Sequence, residues 1–595
     1  MPLVAISIER LRKLVGVAIP RTELGRALER LGNDVEGYST MTRYRCDKCG
    51  HVTEALEHED FNNVCGGCGA GDLVETGSSE VVRISLVPQR PDMFDAAGLA
   101  RALRGYLGIE TGLPRYELGD SGYTIKVEPG LESVRPHIVA CVVRGVVMDD
   151  EMVKTVMKMQ ENLHWALGRD RRRASIGVYD LDKVKPDFTY RPVAPDGVKF
   201  VPLFGMPEGA AAVTPADILE RHPKGAAYKH LLAGFAKYPL LTDSGGQVLS
   251  MPPIINSDAT RVTPATKNLF IDVTGPDKNA ITKTLAVIAT GLCDLGAKIE
   301  QVTVVHAGGR TEETPDLSPK PAQLDVAAVV RVLGFDVGAG QAAELLAKMR
   351  YGASFDGGRV ALAIPAYRAD IMHECDIIED VAIAYGYENI KPQLVQTMTV
   401  GAPQPLEELS EVCRKVMTGL GFMETMTLVL TNEHEHYELL RAPVKPGHLR
   451  IENPASVEQA MPREQLLTGL LSTFRVNVTR EMPQSIFETG DCFAPDPAAE
   501  TGTRVIRKLG AGMAGLRAGF AEARSALEAL ARELGLTPDF RPLESAEFIP
   551  GRAAEVLVRR GEVLVPWGRL GEIHPETLEG FGITQPVSVF EVELG

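Results

Sequence analysis

Five carboxylate side chains lie within one short segment of the chain, between Asp370 and Asp380. Asp376, Glu379 and Asp380 are spaced at i, i+3 and i+4, so a helix would place all three on one face. Like charges this close repel one another unless water, a cation or a basic group compensates them, and carboxylate oxygens suit Mg²⁺. Acidic residues also favour the positive end of a solvated helix. The spacing alone leaves a magnesium site and an ordinary helix start as alternatives.

Four of the nine cysteines form two Cys-x2-Cys pairs, Cys46 with Cys49 and Cys65 with Cys68. Each pair lies next to glycine, which lets the backbone turn tightly so that both sulfurs point inward. Four thiolates at this spacing are typical of a closed tetrahedral Zn²⁺ site without an open position for catalysis. Two disulfides are the alternative, which a cytosolic location disfavours. We therefore predict a structural zinc ribbon within residues 41–77, a segment too short to build much core alone.

Composition limits the classes of function. The length of 595 residues predicts about four domains, and the 44% hydrophobic content is that of a globular protein. The net charge of −16 excludes a chain that coats nucleic acid, so any RNA contact must be local. The best basic patch, residues 169–173, is better explained on charge alone as a solvated turn. Charges throughout residues 1–17 and within residues 280–299 predict neither a signal peptide nor a membrane span, but a soluble cytoplasmic protein.

Helical and strand patterns alternate along the chain, which predicts a multidomain α+β protein. A polar linker is expected at residues 313–319 and a hairpin around residues 356–358. Predicted helices cover residues 23–31, 95–107, 152–167, 282–293, 325–332, 342–349 and 406–420. Predicted strands include residues 123–127, 138–147, 424–430 and 484–488.

Residues 367–390, YRADIMHECDIIEDVAIAYGYENI, resemble the signature of the phenylalanyl-tRNA synthetase beta subunit almost residue for residue. In that family the signature carries a magnesium site, and the resemblance implies Asp370, Asp376, Glu379 and Asp380 as its ligands. Further segments resemble the same family in the same order: residues 160–164, 168–169, 176–180, 222–225, 421–424, 453–454, 484–491 and 571–576.

Residues 238–275, which include LSMPPIIN and FIDVT, resemble the editing module of archaeal and eukaryotic-type beta subunits. Composition alone would predict only a β-rich structural lobe here. A synthetic site for phenylalanine cannot strongly reject tyrosine, whereas a second pocket that hydrogen-bonds the added hydroxyl can select it. The resemblance implies that Asp272 accepts the phenol proton and that Asn256 shapes this pocket. The implied pocket residues are Leu241, Ser250, Asn256, Asp272 and Thr274.

The resemblance implies four domains. Residues 1–115 would form an N-terminal α/β domain, whose zinc-ribbon insert at 41–77 departs from the usual family pattern. Residues 116–310 would form a mixed α/β editing domain, and residues 318–395 a small helical domain with the magnesium site. Residues 396–595 would form an antiparallel-sheet domain like a class II synthetase core. Only Arg463-Glu464 faintly resembles a catalytic motif there, so this core is expected to be inactive.

The implied function is that of a beta subunit in an (αβ)₂ heterotetramer. With the alpha subunit, which would bind ATP and phenylalanine, it would charge tRNA(Phe) and hydrolyse mischarged Tyr-tRNA(Phe). The alternative is a structural and tRNA-binding subunit without editing activity. We find no Ser-His-Asp or Cys-His pattern, so hydrolysis would depend on a positioned water. A zinc-dependent hydrolase is excluded because four cysteine ligands leave no position for water.

Overall fold

The computed structural model describes residues 3–48, 52–57, 61–65, 70–85, 88–146, 148, 150–206, 209, 211–356 and 358–595. The chain forms two compact units, Met1–Leu394 and Val395–Gly595. The first three predicted domains therefore lie in one unit, and the predicted synthetase-like core is the other.

The N-terminal part of the first unit packs helices on an antiparallel sheet with the strand order β1-β4-β2-β3. Helix α1 starts where the Ser7 hydroxyl accepts from the Arg10 amide and ends at Gly16, whose φ is 87°. Strands β2 and β4 continue as a pair into the predicted zinc ribbon, so that Cys46 lies opposite Leu73. The elements are β1 (Leu3–Ser7), α1 (Ile8–Val15), α2 (Arg21–Arg30), β2 (Asp34–Cys46), β3 (Val52–Leu56), β4 (Leu73–Ser85) and α3 (Ala96–Tyr106).

The middle part is built on a mixed sheet with the order β11-β10-β9-β8-β5-β13-β6-β12-β7, with β14 beside β13. Its elements are β5 (Leu118–Val127), β6 (His137–Arg144), α4 (Asp150–Trp165), β7 (Ser175–Asp180), β8 (Phe188–Val193), α5 (Pro215–Arg221), α6 (Pro223–Tyr228), β9 (Tyr238–Asp243), β10 (Val248–Met251), β11 (Ile255–Asn256), β12 (Leu269–Gly275), α7 (Lys278–Asp294), β13 (Lys298–Val305) and β14 (Thr311–Thr314). The predicted linker at 313–319 is wrong at its start, because Glu313 and Thr314 pair with β13.

The third part was predicted to be helical, but it also contains a sheet with the order β15-β17-β16. Its elements are β15 (Lys320–Asp325), α8 (Val326–Leu333), α9 (Ala339–Lys348), β16 (Gly352–Asp356), β17 (Arg359–Ile364) and α10 (Glu374–Tyr385). Leu346 and Val381 belong to the same hydrophobic core as Leu28 and Leu103 of the N-terminal part. The two parts are far apart in sequence, but they bury their apolar side chains in one common core, which holds them together.

The second unit contains a sheet with the order β18-β21-β22-β26-β25-β24-β23 and a separate pair, β19-β20. Pairing is antiparallel, as predicted, except between β18 and β21. The elements are α11 (Pro405–Gly419), β18 (Met423–Glu424), β19 (Leu430–Thr431), β20 (Met461–Pro462), α12 (Leu467–Val476), β21 (Gln484–Pro495), β22 (Thr503–Ala514), α13 (Phe520–Glu533), β23 (Pro538–Pro542), β24 (Phe548–Arg560), β25 (Val563–Ile573), α14 (Pro575–Gly580) and β26 (Val587–Glu593).

The predicted strand at 424–430 is wrong, because only its two ends pair with other strands. Met426 and Leu428 between them are 96% and 70% exposed, so their apolar side chains do not mark a buried strand. Of the helices formed by the described residues, none has the length and apolar character needed to cross a bilayer.

Candidate functional site

The predicted pocket residues lie where the two ends of the middle sheet meet. Strands β7 and β11 are at opposite ends of the strand order. Even so, the Asn256 Nδ2 donates to the Val178 carbonyl on β7 at 3.3 Å. On the neighbouring strands, Ser250 pairs with both Leu241 and Asn256. The curvature of the sheet therefore brings residues of distant strands into one place.

Tyr179 connects the two halves of this site. Its phenol oxygen lies 2.5 Å from Asp272 Oδ1 and 2.7 Å from Ser250 Oγ. The phenol has one proton, so it donates to the carboxylate while the Ser250 hydroxyl donates to the phenol oxygen. Asp272 and Thr274 are two residues apart on β12 and so share one face. Four of the five predicted residues are thus linked by hydrogen bonds or strand pairing, and Thr274 lies beside them.

Asp272 is buried, and this burial raises the pKa of its carboxyl to about 7. The hydrogen bond from Tyr179 and the positive charge of Arg135 act in the opposite direction and lower that pKa. Arg135 is itself buried and donates to the Thr274 hydroxyl and carbonyl at 2.9 and 2.6 Å. Thr274 therefore positions the cation that faces Asp272.

Strand β7 is an edge strand, and side chains of α4 form hydrogen bonds with the backbone of Ile176 on it. Gln160 Nε2 donates to the Ile176 carbonyl at 2.7 Å, and His164 Nε2 accepts from the Ile176 amide at 2.8 Å. Burial lowers the pKa of His164 to about 4, which keeps the imidazole neutral and able to accept. The segment at 160–164 that resembles the family thus protects the edge strand that carries Tyr179.

The basic patch at 169–173 is only partly a solvated turn. Arg169 and Arg172 are exposed, as expected. Arg171 is buried instead, where it donates to the Ile254 carbonyl at 2.9 Å and to Glu161 at 2.8 Å. Its guanidinium also lies 4.5 Å from the ring centre of Tyr228. The middle of the patch therefore has a structural role.

The carboxylate cluster at α10 has an internal basic partner. Arg368 Nη2 lies 2.6 Å from Asp370 Oδ2 and 2.6 Å from Asp380 Oδ2. Asp376 accepts from the backbone amides of Met372 and His373 at the start of the helix, both at 2.7 Å. The carboxylates are therefore stabilised in two ways that need no bound cation: Asp376 caps the helix, and Arg368 balances the charge of Asp370 and Asp380.

Glu379 is the exposed member of this carboxylate cluster. Desolvation raises the pKa of Glu379, and the charges of Asp380, Asp376 and Asp370 raise it further. A cation would relieve this repulsion, so the donor set fits Mg²⁺ in charge and chemistry. Within the described ranges, however, no group of three or more acidic, histidine or cysteine side chains is arranged to hold a metal ion. The magnesium site stays a prediction.

Two of the four predicted zinc ligands lie in described parts of the chain. Cys46, at the end of β2, and Cys65 are both buried. Cys49 and Cys68 lie outside the described residues. Two buried thiols in a small, glycine-rich segment suit a structural metal centre, and the zinc site likewise stays a prediction.

In the second unit, Arg463 is bound by internal groups. Its guanidinium lies 2.6 Å from Glu488 Oε1 and donates to the Thr427 hydroxyl and the Asp491 carbonyl, both at 2.9 Å. Arg463 is buried, as is Glu488. An arginine held in this way is not presented to a nucleotide phosphate.

Sequence reasoning missed three residues that form these sites. Tyr179 lies in the segment 176–180 that resembles the family, but the sequence alone assigned it no role. Arg368 directly precedes the predicted ligands, and its charge was the available signal. Arg135 has no sequence signal that we recognise.

Comparison with known proteins agrees with this architecture. Family models match a B3/4 domain at 159–290, a tRNA synthetase B5 domain at 322–387 and a phenylalanyl tRNA synthetase beta chain CLM domain at 390–594. The phenylalanine–tRNA ligase beta subunit of Archaeoglobus fulgidus is 42% identical over 523 residues, which cover 88% of this chain and 92% of the relative. That of Methanosphaera stadtmanae is 35% identical over 597 residues, covering 100% and 99%.

A solved structure is also similar. The N-terminal fragment of the phenylalanyl-tRNA synthetase beta subunit from Pyrococcus horikoshii is 36% identical, with a TM-score of 0.56. The match covers 65% of this chain and the whole fragment. The predicted family is confirmed: the chain belongs to the phenylalanine–tRNA ligase beta subunits.

Proposed function

We propose that this subunit edits tyrosine in the middle part of its first unit and supports phenylalanine charging by an alpha subunit. The two subunits would form a cytoplasmic (αβ)₂ heterotetramer that uses ATP to charge tRNA(Phe). The observation that carries the proposal is the buried polar cluster of Asp272, Ser250 and Tyr179 at the meeting point of the sheet ends. Such a cluster provides acceptors for a hydroxyl in an otherwise apolar environment.

Selectivity follows from the cost of leaving these groups unpaired. A tyrosyl hydroxyl would donate to the Asp272 carboxylate, whereas a phenyl ring would desolvate that carboxylate without replacing its hydrogen bonds. Leu241 lies on the strand next to Ser250 and would provide an apolar contact for either ring. The pocket would therefore accept tyrosine and disfavour phenylalanine.

Hydrolysis would rely on a water placed beside the ester bond. The Ser250 hydroxyl is hydrogen-bonded to Tyr179, and His164 Nε2 accepts from the Ile176 amide. Ser250 and His164 therefore do not form a nucleophile–base pair. Positioning of ester and water can provide a large part of the rate. The synthetic reaction would belong to the alpha subunit, in line with the internal pairing of Arg463.

The proposal is tested by deacylation of Tyr-tRNA(Phe) and Phe-tRNA(Phe) by this chain, with and without its alpha partner. Fast release of tyrosine and slow release of phenylalanine are expected. No selective release, even in the assembled complex, would leave the alternative of a structural and tRNA-binding subunit.

We further propose that Cys46, Cys49, Cys65 and Cys68 bind one structural zinc ion. Metal analysis of the purified chain in reducing buffer is expected to find one zinc per chain. Cys46→Ser should lose it, because Cys46 is a proposed ligand, whereas Cys375→Ser should retain it, since Cys375 is exposed and lies far from the cluster in sequence. A wild-type chain without zinc would refute this site.

Asp370, Asp376, Glu379 and Asp380 are proposed to hold Mg²⁺. A ligand that binds only the folded state stabilises it by about 2.7 kcal/mol at a hundred times its Kd. Saturating Mg²⁺ should therefore raise the melting temperature of the wild-type chain. Glu379→Gln should reduce this increase, while Glu374→Gln on the same helix should not, since Glu374 accepts from the Asp325 amide instead. Equal Mg²⁺ responses in all three proteins would argue against the site.

A further inference from the structure

We infer that Tyr179 is a specificity-positioning residue of the proposed editing pocket, because its hydroxyl fixes Asp272 and Ser250 relative to each other across the junction of the two sheet ends. This inference rests on the proposed editing function and adds a residue to it. Tyr179 is carried by β7, Asp272 by the adjacent β12, and Ser250 by β10 near the other end of the strand order. The side-chain bridge therefore joins elements that the β-ladder places far apart.

The position of the Tyr179 hydroxyl is rigid. The side chain is completely buried, and its ring stacks on Phe270 with ring centres 6.0 Å apart and an interplanar angle of 28°. The hydroxyl has one neighbour on each side, Asp272 at 2.5 Å and Ser250 at 2.7 Å. Because the phenol is fixed, its hydrogen bonds also fix the orientations of the shorter Asp272 and Ser250 side chains.

The backbone leaves room for this bridge at one glycine. Gly177 lies directly opposite Asp272 in the β7–β12 pair. A Cβ atom at Gly177 would lie 1.9 Å from the Tyr179 hydroxyl and 2.3 Å from Asp272 Oδ1. Any side chain at position 177 would disrupt the hydrogen bond between Tyr179 and Asp272. Glycine at this position therefore allows the two side chains to meet.

The direction of the hydrogen bonds assigns the remaining acceptors. Ser250 donates to Tyr179, and Tyr179 donates to Asp272 Oδ1, so each donor proton is used within the bridge. The second carboxylate oxygen, Oδ2, is then the one to which a substrate phenol would donate. Tyr179 would thus favour tyrosine without contacting the scissile ester. It holds the Asp272 carboxylate through Oδ1 and leaves Oδ2 to accept from the substrate phenol.

Tyr179→Phe tests the inference, since it keeps the ring and removes the hydroxyl. We expect kcat/KM for Tyr-tRNA(Phe) deacylation to fall at least tenfold and the slow release of phenylalanine to persist. We also expect the loss of activity at acidic pH to begin at a higher pH, because Tyr179 no longer favours ionised Asp272. The other groups that face Asp272, Arg135 and Tyr190, are unchanged by this substitution. Tyr437→Phe is the matched control, because Tyr437 is a buried phenol that donates to Glu464 in the other unit.

The outcomes separate this inference from the function on which it rests. If wild-type protein shows no selective release, the proposed function fails. If wild type is selective and Tyr179→Phe keeps both its selectivity and its pH profile, the positioning role is overturned and the function stands. Should Tyr179→Phe not fold, Ser250→Ala removes the donor to the phenol oxygen and must shift the pH profile in the same direction. An unshifted profile in a folded Ser250→Ala protein would equally overturn the inference.

Discussion

Asp272→Asn is expected to slow the release of tyrosine from Tyr-tRNA(Phe) roughly tenfold to a hundredfold, with little effect on the release of phenylalanine. A hydrogen bond to a charged acceptor contributes about 1.5–3 kcal/mol, and the amide replaces the charged acceptor by a neutral one. The wild-type rate should itself fall as the pH is lowered through about 7, because burial raises the pKa of Asp272 to about 7 and protonation removes the acceptor. Rates measured between pH 6 and pH 8.5 for both proteins check this expectation.

The same substitution should have a pH-dependent effect on stability. The folded pKa of Asp272 is raised above its unfolded value, so this group favours the folded state at low pH and loses that contribution as the pH rises through about 7. Asparagine has no such loss. Urea unfolding should therefore show Asp272→Asn gaining stability relative to wild type between about pH 4 and about pH 7, with little further gain at higher pH.

Asp243→Asn provides the control for Asp272→Asn. Asp243 is a buried carboxylate of the same sheet that accepts from the Lys185 and Gln247 amides. Its substitution should cost stability without changing the ratio of tyrosine to phenylalanine release. An Asp272→Asn protein that folds and edits at the wild-type rate would remove Asp272 from the site.

The sequence predicts the local elements well because their signals are local. Asp95 before an apolar run predicts the start of α3, and its carboxylate accepts from the Ala97 and Gly98 amides as a helix cap should. The resemblance also identified a set of residues on β9, β10, β11 and β12 that the fold brings together. The helix cap and each motif residue are recognised from the few residues that surround them in the sequence.

The contacts that sequence reasoning missed are those between distant elements. Tyr179 and Ser250 meet only because a long sheet curves until its ends approach, and no periodicity encodes that curvature. The shared core of the N-terminal and third parts is of the same kind, since Leu103 and Leu346 are separated by the entire middle part. Local patterns define which face of an element is apolar, but not which other element will cover it.

Arg368→Met is expected to cause the largest loss of stability, about 3–5 kcal/mol, because it leaves the buried carboxylate of Asp380 without its cation. Arg368 and Asp380 are 2% and 3% exposed, and the pair is shielded further by Tyr351, whose hydroxyl donates to Asp380 at 2.6 Å. Methionine fills a similar volume, so the lost charge rather than a cavity would dominate the effect. Denaturant unfolding of the variant at pH 7 measures the loss.

Two comparisons identify the cause of that loss. Adding Asp380→Asn to Arg368→Met should restore part of the lost stability, because the uncompensated charge is then absent; additive losses in the double variant would contradict the pairing. Lys415→Met is the contrasting control, since Lys415 pairs with Glu411 at the surface of α11 and should contribute only about 0.3–0.5 kcal/mol. If Arg368→Met lost as little stability as this control, another cation would have to balance Asp370 and Asp380. Repeating the measurement with and without Mg²⁺ would show whether that cation is magnesium.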